Sequence, residues 1–328
     1  MNTDPHHRTP PTPSTPDASS TPPKGHRPMT TPDPTAHTAP GHTPSTPTAT
    51  PVSVWACAQT SPAAQRGNRY TRDSSAHPAK MLPAIAAHAI DLYSHPGDLV
   101  MDPMCGIGTT LVEAVHAGRR ALGVEYEDRW AAIARDNLTL ATHTAADNGE
   151  HIQAVVHTGD ARKLRTVLPE QLRGTVDLII TSPPYGDSLH GHVKLKAGDG
   201  IHKRNHRYGN TLDRGNLANL GVPRLLSGFT RILTAATAYL KPGGYLVITA
   251  RPWRQHAELV DLPSLLTTCA ATAGLVPVDR AVALLGRLTD NDIVAHSSFF
   301  QRDFVLKNRD QGLPLALIAH EDVLIFRA

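Results

Sequence analysis

A chain of 328 residues carries 32 Lys and Arg against 29 Asp and Glu, a formal net charge of +3 at pH 7. That balance excludes a globally basic nucleic-acid coat, and three cysteines, odd in number and far apart (Cys57, Cys105, Cys269), exclude a disulfide framework. No apolar run reaches the length of a membrane span and the N-terminus shows no basic-then-apolar leader, so a reducing, cytoplasmic setting is the expectation.

Residues 1–51 form a separate compositional regime. Half of the 28 prolines fall there, among threonines and serines, with almost no large apolar side chain. Arg8, Lys24 and Arg27 offset Asp4, Asp17 and Asp33. Such a segment cannot bury enough surface to offset the entropy of ordering and is expected to be a disordered tail, with one folded domain at 52–328. After Val52-Ser53-Val54-Trp55, the polar stretch with Arg66, Arg69, Tyr70 and Arg72 reads as a solvated linker. His77-Pro78-Ala79-Lys80 follows; Pro78 suits a first helical position, and Met81, Ile85, Ala89 and Leu92 then recur on one face up to Tyr93.

His95-Pro96-Gly97-Asp98 turns the chain into Leu99-Val100-Met101, a short apolar strand. It ends in Asp102-Pro103-Met104-Cys105-Gly106-Ile107-Gly108-Thr109-Thr110, before a helix. Glycines there let backbone approach a ligand, and the helix N-terminus offers free N–H groups. Leu111 stands where a dinucleotide fingerprint wants its third glycine, and no Lys follows to make a P-loop. Asp102 at the strand end suits an ammonium or hydroxyl rather than a pyrophosphate. The next strand, Ala121 to Val124, ends in Glu125, placed to accept from ribose hydroxyls. An amphipathic helix with Trp130, Ile133, Ala134 and Leu138 leads to a third strand, Ile152 to His157, and then Gly159-Asp160, where Asp160 suits an adenine amino group. Three acids each closing a successive strand describe a pocket for an amino-acid-bearing nucleoside.

Val176-Asp177-Leu178-Ile179-Ile180 then runs into Thr181-Ser182-Pro183-Pro184-Tyr185. Two prolines with fixed φ and no N–H force the backbone out of the sheet, rigid and with its carbonyls free. Ser182 and the Pro183 carbonyl can accept from an exocyclic amino group while Tyr185 stacks on the ring that bears it. From Gly186 to Arg231 eight Lys and Arg face three Asp. Lys194, Lys196, Lys203, Arg204 and Arg207, in a Gly- and His-rich insert at about 186–225, are candidate phosphate contacts, and no histidine spacing there fits a metal. Leu225 to Leu240 reads as a helix, Tyr245 to Thr249 as a strand and Leu262 to Ala273 as a helix. Asp279 to Leu285, Phe299 to Lys307 and Asp322 to Arg327 read as strands of an antiparallel edge.

With these residues assembled, the sequence resembles the S-adenosylmethionine-dependent DNA methyltransferases that modify exocyclic amino groups, over roughly 77–250. The resemblance implies a class I, Rossmann-like α/β fold, a doubly wound sheet that is mostly parallel with an antiparallel edge at the C-terminus. It implies S-adenosylmethionine as cofactor, held by His77, Lys80, Asp102, Pro103, Met104, Cys105, Gly106, Gly108, Thr109, Glu125, Asp160 and Thr181. It implies catalysis by Ser182, Pro183, Pro184 and Tyr185, without a nucleophilic cysteine, on a base flipped out of the duplex. Serine before the double proline is similar to enzymes of cytosine N4; adenine enzymes more often carry Asp. Cofactor loop before catalytic segment is similar to the gamma-type order. DNA is the implied partner, with a restriction endonuclease as a candidate companion. Adenine N6 methylation, RNA guanine N2 methylation and a non-catalytic nucleic-acid-binding module are the alternatives.

Overall fold

The computed structural model describes residues 50–184, 191–195, 201–205, 216–255, 258–297 and 299–328. The folded unit is Pro51–Ala328. Residues 1–49 of the expected tail, Tyr185, Lys196 and Arg207 lie outside the described residues.

The chain opens with strand β1 (Val54–Trp55) and helices α1 (Pro62–Arg66) and α2 (Pro83–Tyr93). Then come β2 (Leu99–Asp102), α3 (Thr109–His116), β3 (Arg120–Glu125), α4 (Asp128–Asp147) and β4 (Ala154–Thr158). Helix α5 (Leu164–Val167) leads to β5 (Val176–Thr181), and a hairpin follows, β6 (Gly191–Leu195) with β7 (Ile201–Asn205). The second half holds α6 (Val222–Thr237), β8 (Leu240–Ala250), β9 (Trp253–Gln255), β10 (Glu258–Val260) and α7 (Leu262–Thr272). It closes with β11 (Val276–Leu284), β12 (Gly286–Leu288), β13 (Ile293–Ala295), α8 (Phe299–Asp310) and β14 (His320–Arg327).

Eight strands form one sheet in the order β1-β11-β14-β8-β5-β2-β3-β4. β14 runs antiparallel to both neighbours and every other pairing is parallel. The sheet is mostly parallel and doubly wound, as expected; its antiparallel strand is third from the edge rather than outermost. Central strands buried on both faces read as unbroken apolar runs, and β2 is buried at every position. Alternation then divides the core. Val100, Leu178, Ile180 and Val247 face α2, α3 and α4, while Met101, Ile179, Leu246 and Ile248 face α5, α6 and α7. From β2 the chain winds outward to β4, then returns to lay β5 on the other side of β2. The carboxyl ends of β2 and β5 therefore flank the topological switch point, where open α/β sheets bind ligands.

Several sequence expectations are corrected. Pro83, not Pro78, opens α2; residues 77–82 ahead of it are not helical, with a bend at Pro78-Ala79. The expected linker is structured: the Tyr70 hydroxyl donates to Glu113 Oε1 at 2.7 Å, and Arg69 pairs with the other carboxylate oxygen of that α3 residue. Helix α6 spans 222–237, and Leu240 already belongs to β8, whose register shift against β5 absorbs the Pro242-Gly243 turn. Phe299 to Lys307, expected as a strand, is helical; Asp303 and Lys307 pair one turn apart at 2.8 Å on α8. Among the described residues no helix is long and apolar enough to cross a membrane.

Candidate cofactor and base site

The glycine loop is built from opposed requirements. Gly106 (φ 54°) and Gly108 (φ 81°) adopt left-handed backbone, which side chains other than glycine rarely do. A Cβ on Gly106 would stand 3.0 Å from His77 Nε2, so His77, buried at 3 % exposure, braces the loop from beneath. The missing third glycine is supplied from the facing strand. Gly123 of β3 takes Leu111 of α3 so closely that a Cβ there would meet Leu111 Cδ1 at 2.4 Å. Cys105 donates its N–H to Val124 and packs beside the same glycine. Asn137 of α4, fully buried, donates to the Ile107 carbonyl at 2.8 Å.

Asp102 is the hub. One carboxylate oxygen accepts from Met104 N–H (3.0 Å) and from the Thr181 hydroxyl (3.0 Å), and the other accepts from the Thr110 hydroxyl (2.9 Å). The last residue of β5 is thus tied to the last residue of β2, across 79 residues of sequence. Burial pushes the Asp102 carboxyl up to about 6, against the pull of those three donors. Glu125 accepts from Glu127 N–H (2.9 Å) and from Gly106 N–H (2.8 Å), fixing the loop to β3. Burial pushes it up to about 7; the two N–H donors oppose the rise, and the nearby Asp102 and Glu127 charges add to it.

An open cleft enclosing about 520 Å³ lies over the carboxyl ends of these strands. Six expected residues line it: Pro103, Met104, Glu125, Asp160, Ser182 and Pro184. Asp102 and Thr181 sit immediately behind its wall, and Pro183 is buried between the two lining residues of its segment. Asp160 spends three acceptor positions on Arg162, through the backbone N–H and the guanidinium. Burial raises its carboxyl, but the Arg162 hydrogen bonds and charge bring it below the ordinary range. His77, Lys80, Gly108 and Thr109 do not line the cleft. Lys80 donates to the His77 carbonyl at 2.6 Å and is pushed down to about 8, by burial first and by the Arg66 charge second. Of the basic residues, Lys194 lies on β6, and Lys203 and Arg204 on β7.

The cleft also holds residues the sequence reading passed over. Tyr126 and Arg162 each follow an expected acid by one or two positions, and Leu217 and Ile232 supply an apolar wall. Asn216 caps the turn at Ala218 and donates to Glu127 Oε1 at 2.7 Å, joining the chain after the hairpin to the β3–α4 corner. Its legible signal was an Asx turn. The set fits S-adenosylmethionine: an apolar slot bordered by Met104, Leu217 and Ile232 for a flat purine, a buried carboxylate at Glu125 with unfilled acceptor positions for a ribose diol, and Asp102 beside the glycine loop for the cationic end.

Comparisons with known proteins find partial likenesses. A family described as DNA methylase matches residues 33–136. A tRNA (guanine(10)-N2)-dimethyltransferase of Methanocaldococcus jannaschii is 32 % identical over 113 residues, 34 % of this chain and 30 % of the relative. The same enzyme of Methanothermobacter thermautotrophicus is 35 % identical over the same shares. The DNA adenine methyltransferase YhdJ of Escherichia coli is 32 % identical over 80 residues, 24 % of this chain and 27 % of the relative. The matched stretch therefore spans about three tenths of these relatives. Among solved structures, TrmN of Thermus thermophilus aligns over 80 % of this chain and 52 % of its own, at 17 % identity and a TM-score of 0.40. About a third of the chain is thus similar to part of methyltransferases named for DNA or tRNA bases.

Proposed function

We propose that this protein transfers a methyl group from S-adenosylmethionine to an exocyclic amino group of a DNA base, cytosine N4 in the first instance. The observation that carries the reading is the junction of two motifs: Thr181, which opens the Ser182-Pro183-Pro184 segment, donates to Asp102, which opens the glycine loop, at 3.0 Å. Ser182 and Pro184 line the same cleft as Glu125 and Asp160. Acceptors for a base amino group thus meet acceptors for a nucleoside at one switch point.

When bound, S-adenosylmethionine supplies a methyl group already activated on a sulfonium, so position matters more than a strong base. Ser182 and the Pro183 carbonyl accept the amino hydrogens and turn the nitrogen lone pair toward the methyl carbon. These two acceptors would keep hold of the amino group while it is methylated, and the surplus proton would pass from them to water. Extracting the base from a duplex costs a few kcal/mol, offset by stacking on Tyr185 in this scheme. Tyr185→Ala is expected to keep cofactor affinity and lose most turnover; unchanged turnover would remove Tyr185 from the mechanism. Neutralising Lys203, Arg204 and Arg207 is expected to weaken nucleic-acid binding and flatten its salt dependence by up to about three charges. An unaltered slope would leave the β6–β7 region without that role.

The deciding assay supplies labelled S-adenosylmethionine with unmethylated bacterial DNA and, separately, bulk tRNA, then digests the products to nucleosides. Label in N4-methylcytosine supports the reading, and label in N6-methyladenine keeps the reaction while replacing the base. Label in N2-methylguanine of tRNA would establish the second reading, which the likeness to the two guanine(10)-N2 enzymes favours.

A further inference from the structure

The corner after β4 holds an ion pair that the methyl-transfer scheme leaves without a task. Gly159 donates its N–H to the Glu125 carbonyl at 2.8 Å, which keeps the chain past β4 level with the end of β3. A Cβ on Gly159 would meet Val167 of α5 at 2.6 Å, so glycine is what lets α5 close on this corner. Asp160 then caps a short 3-10 turn, Ala161–Lys163, which packs against α6. The cap bond runs from Arg162 N–H to Asp160 Oδ1 at 2.9 Å. The Arg162 side chain folds back onto the same acid, with Nε donating to Oδ1 at 2.8 Å and Nη2 to Oδ2 at 2.9 Å.

Two parallel hydrogen bonds from one planar fork hold acid and guanidinium in a common plane. Their side chains are 21 % and 18 % exposed, and both residues line the cofactor cleft. The pair is therefore not one of the solvated surface bridges that fix nothing. A carboxylate offers about four acceptor positions. Oδ1 spends two on Arg162 and Oδ2 spends one; among the described residues nothing takes the position left on Oδ2. That position is ionised at neutral pH. Burial raises the Asp160 carboxyl, but the Arg162 hydrogen bonds and the Arg162 and Lys163 charges outweigh it.

We infer that Arg162 sets the purine specificity of the cofactor site, by pinning Asp160 so that its one remaining acceptor takes a hydrogen of the purine six-amino group. Arg162 is a positioning residue in this account, because it acts through the carboxylate. A carboxylate free to turn must be ordered when the nucleoside arrives, whereas a pinned one has met that cost in advance. An ionised oxygen with a single open position accepts from an amino group and repels a carbonyl oxygen in its place. The inference rests on S-adenosylmethionine as the cofactor and is independent of which base is methylated.

The test uses S-adenosylhomocysteine, the demethylated cofactor, and two counterparts that carry hydrogen or a carbonyl oxygen in place of the six-amino group. Calorimetry gives their affinities for wild type, Arg162→Ala, Arg162→Lys, Asp160→Ala and the double alanine variant, and melting is recorded for each. Wild type is expected to prefer the amino compound over the hydrogen compound by about 10- to 100-fold, the worth of a hydrogen bond to a charged group, and to bind the carbonyl compound most weakly. Arg162→Ala keeps the backbone N–H that caps the turn, so it is expected to melt close to wild type while the preference shrinks to about threefold or less. Arg162→Lys keeps the charge without the fork and is expected to fall between them. In the Asp160→Ala background, removing Arg162 is expected to change the preference no further, which a direct contact between Arg162 and the purine would not allow. An undiminished preference in Arg162→Ala, or a further loss of preference in the double variant, would overturn the inference and leave the cofactor assignment intact. A wild-type protein that binds neither S-adenosylmethionine nor any of the three compounds would instead overturn the cofactor reading on which the inference rests.

Discussion

Asp102→Ala is expected to reduce S-adenosylmethionine affinity by about 100-fold or more, the loss of a charge-assisted contact together with the loop that presents it. The structure says why the effect is compound. Three donors converge on this carboxylate, from Met104, Thr110 and Thr181, in a pocket where Asp102 is 4 % exposed. Alanine leaves all three without a partner, at about 1–3 kcal/mol for each group that water cannot reach. Melting is therefore expected to fall by several degrees, at about 2–4 °C per kcal/mol for a domain of this size. Asp102→Asn separates the two effects. The amide oxygen still accepts and the threonine hydroxyls can rotate, so the fold is kept, while the charge that would face an ammonium is gone. The expected result is a nearly normal melting temperature with cofactor affinity down by about tenfold. An Asn variant with wild-type affinity would reduce Asp102 to an organiser of the loop and the β5 end.

The contrast between Asp102 and Glu113 shows what was legible in the sequence. Asp102, Glu125 and Asp160 each stand at or just past a strand end, a position with a meaning in an α/β sheet, so Glu125 and Asp160 lining one cleft, with Asp102 behind its wall, could be expected from spacing alone. Glu113 sits inside a helix, where an acid ordinarily faces water; that it is buried against Tyr70 and Arg69 depends on a contact 43 residues away. Arg66, Arg69 and Tyr70 consequently read as a linker, since nothing local marks their partner. Leu111 looked like a departure from a glycine fingerprint until Gly123, on the facing strand, supplied the missing space. Helix α8 failed for a different reason. Phe299, Phe304, Val305 and Leu306 carry strand propensity, but a three-turn helix with an Asp303–Lys307 pair prevails over it. Asn216 acquires its role only when the chain returns beside Glu127, and no sequence pattern announces that return.

Cofactor affinity is expected to rise with pH through the neutral range, and Glu125 is the reason. Two of its acceptor positions hold Gly106 and Glu127, and the remainder are available to ribose hydroxyls, which can bind strongly only to the ionised carboxylate. Burial places that carboxyl at about 7 in the free protein, so part of the population must lose a proton before it can bind. The sign follows from linkage. A ligand that prefers the ionised form binds more tightly as pH rises toward the folded value and levels off above it, with at most about tenfold per pH unit below. The stability term has the opposite sign. A carboxyl raised on folding from 4.5 to about 7 contributes stability that is fully present below about 4.5 and is lost as pH climbs to about 7. Calorimetry from pH 5.5 to 8.5 in buffers of different ionisation enthalpy should show proton release on binding below about pH 7 and none well above it. Asp102, at about 6, adds to the acid side of the curve, so the assignment needs Glu125→Gln. That variant is expected to bind more weakly at pH 8 by about 10- to 100-fold, as hydrogen bonds to a charged group are lost, and to lose the upper part of the pH dependence. Wild-type affinity that stays level or falls between pH 6 and 8 would remove the carboxylate of Glu125 from cofactor recognition, leaving it the task of holding the glycine loop to β3.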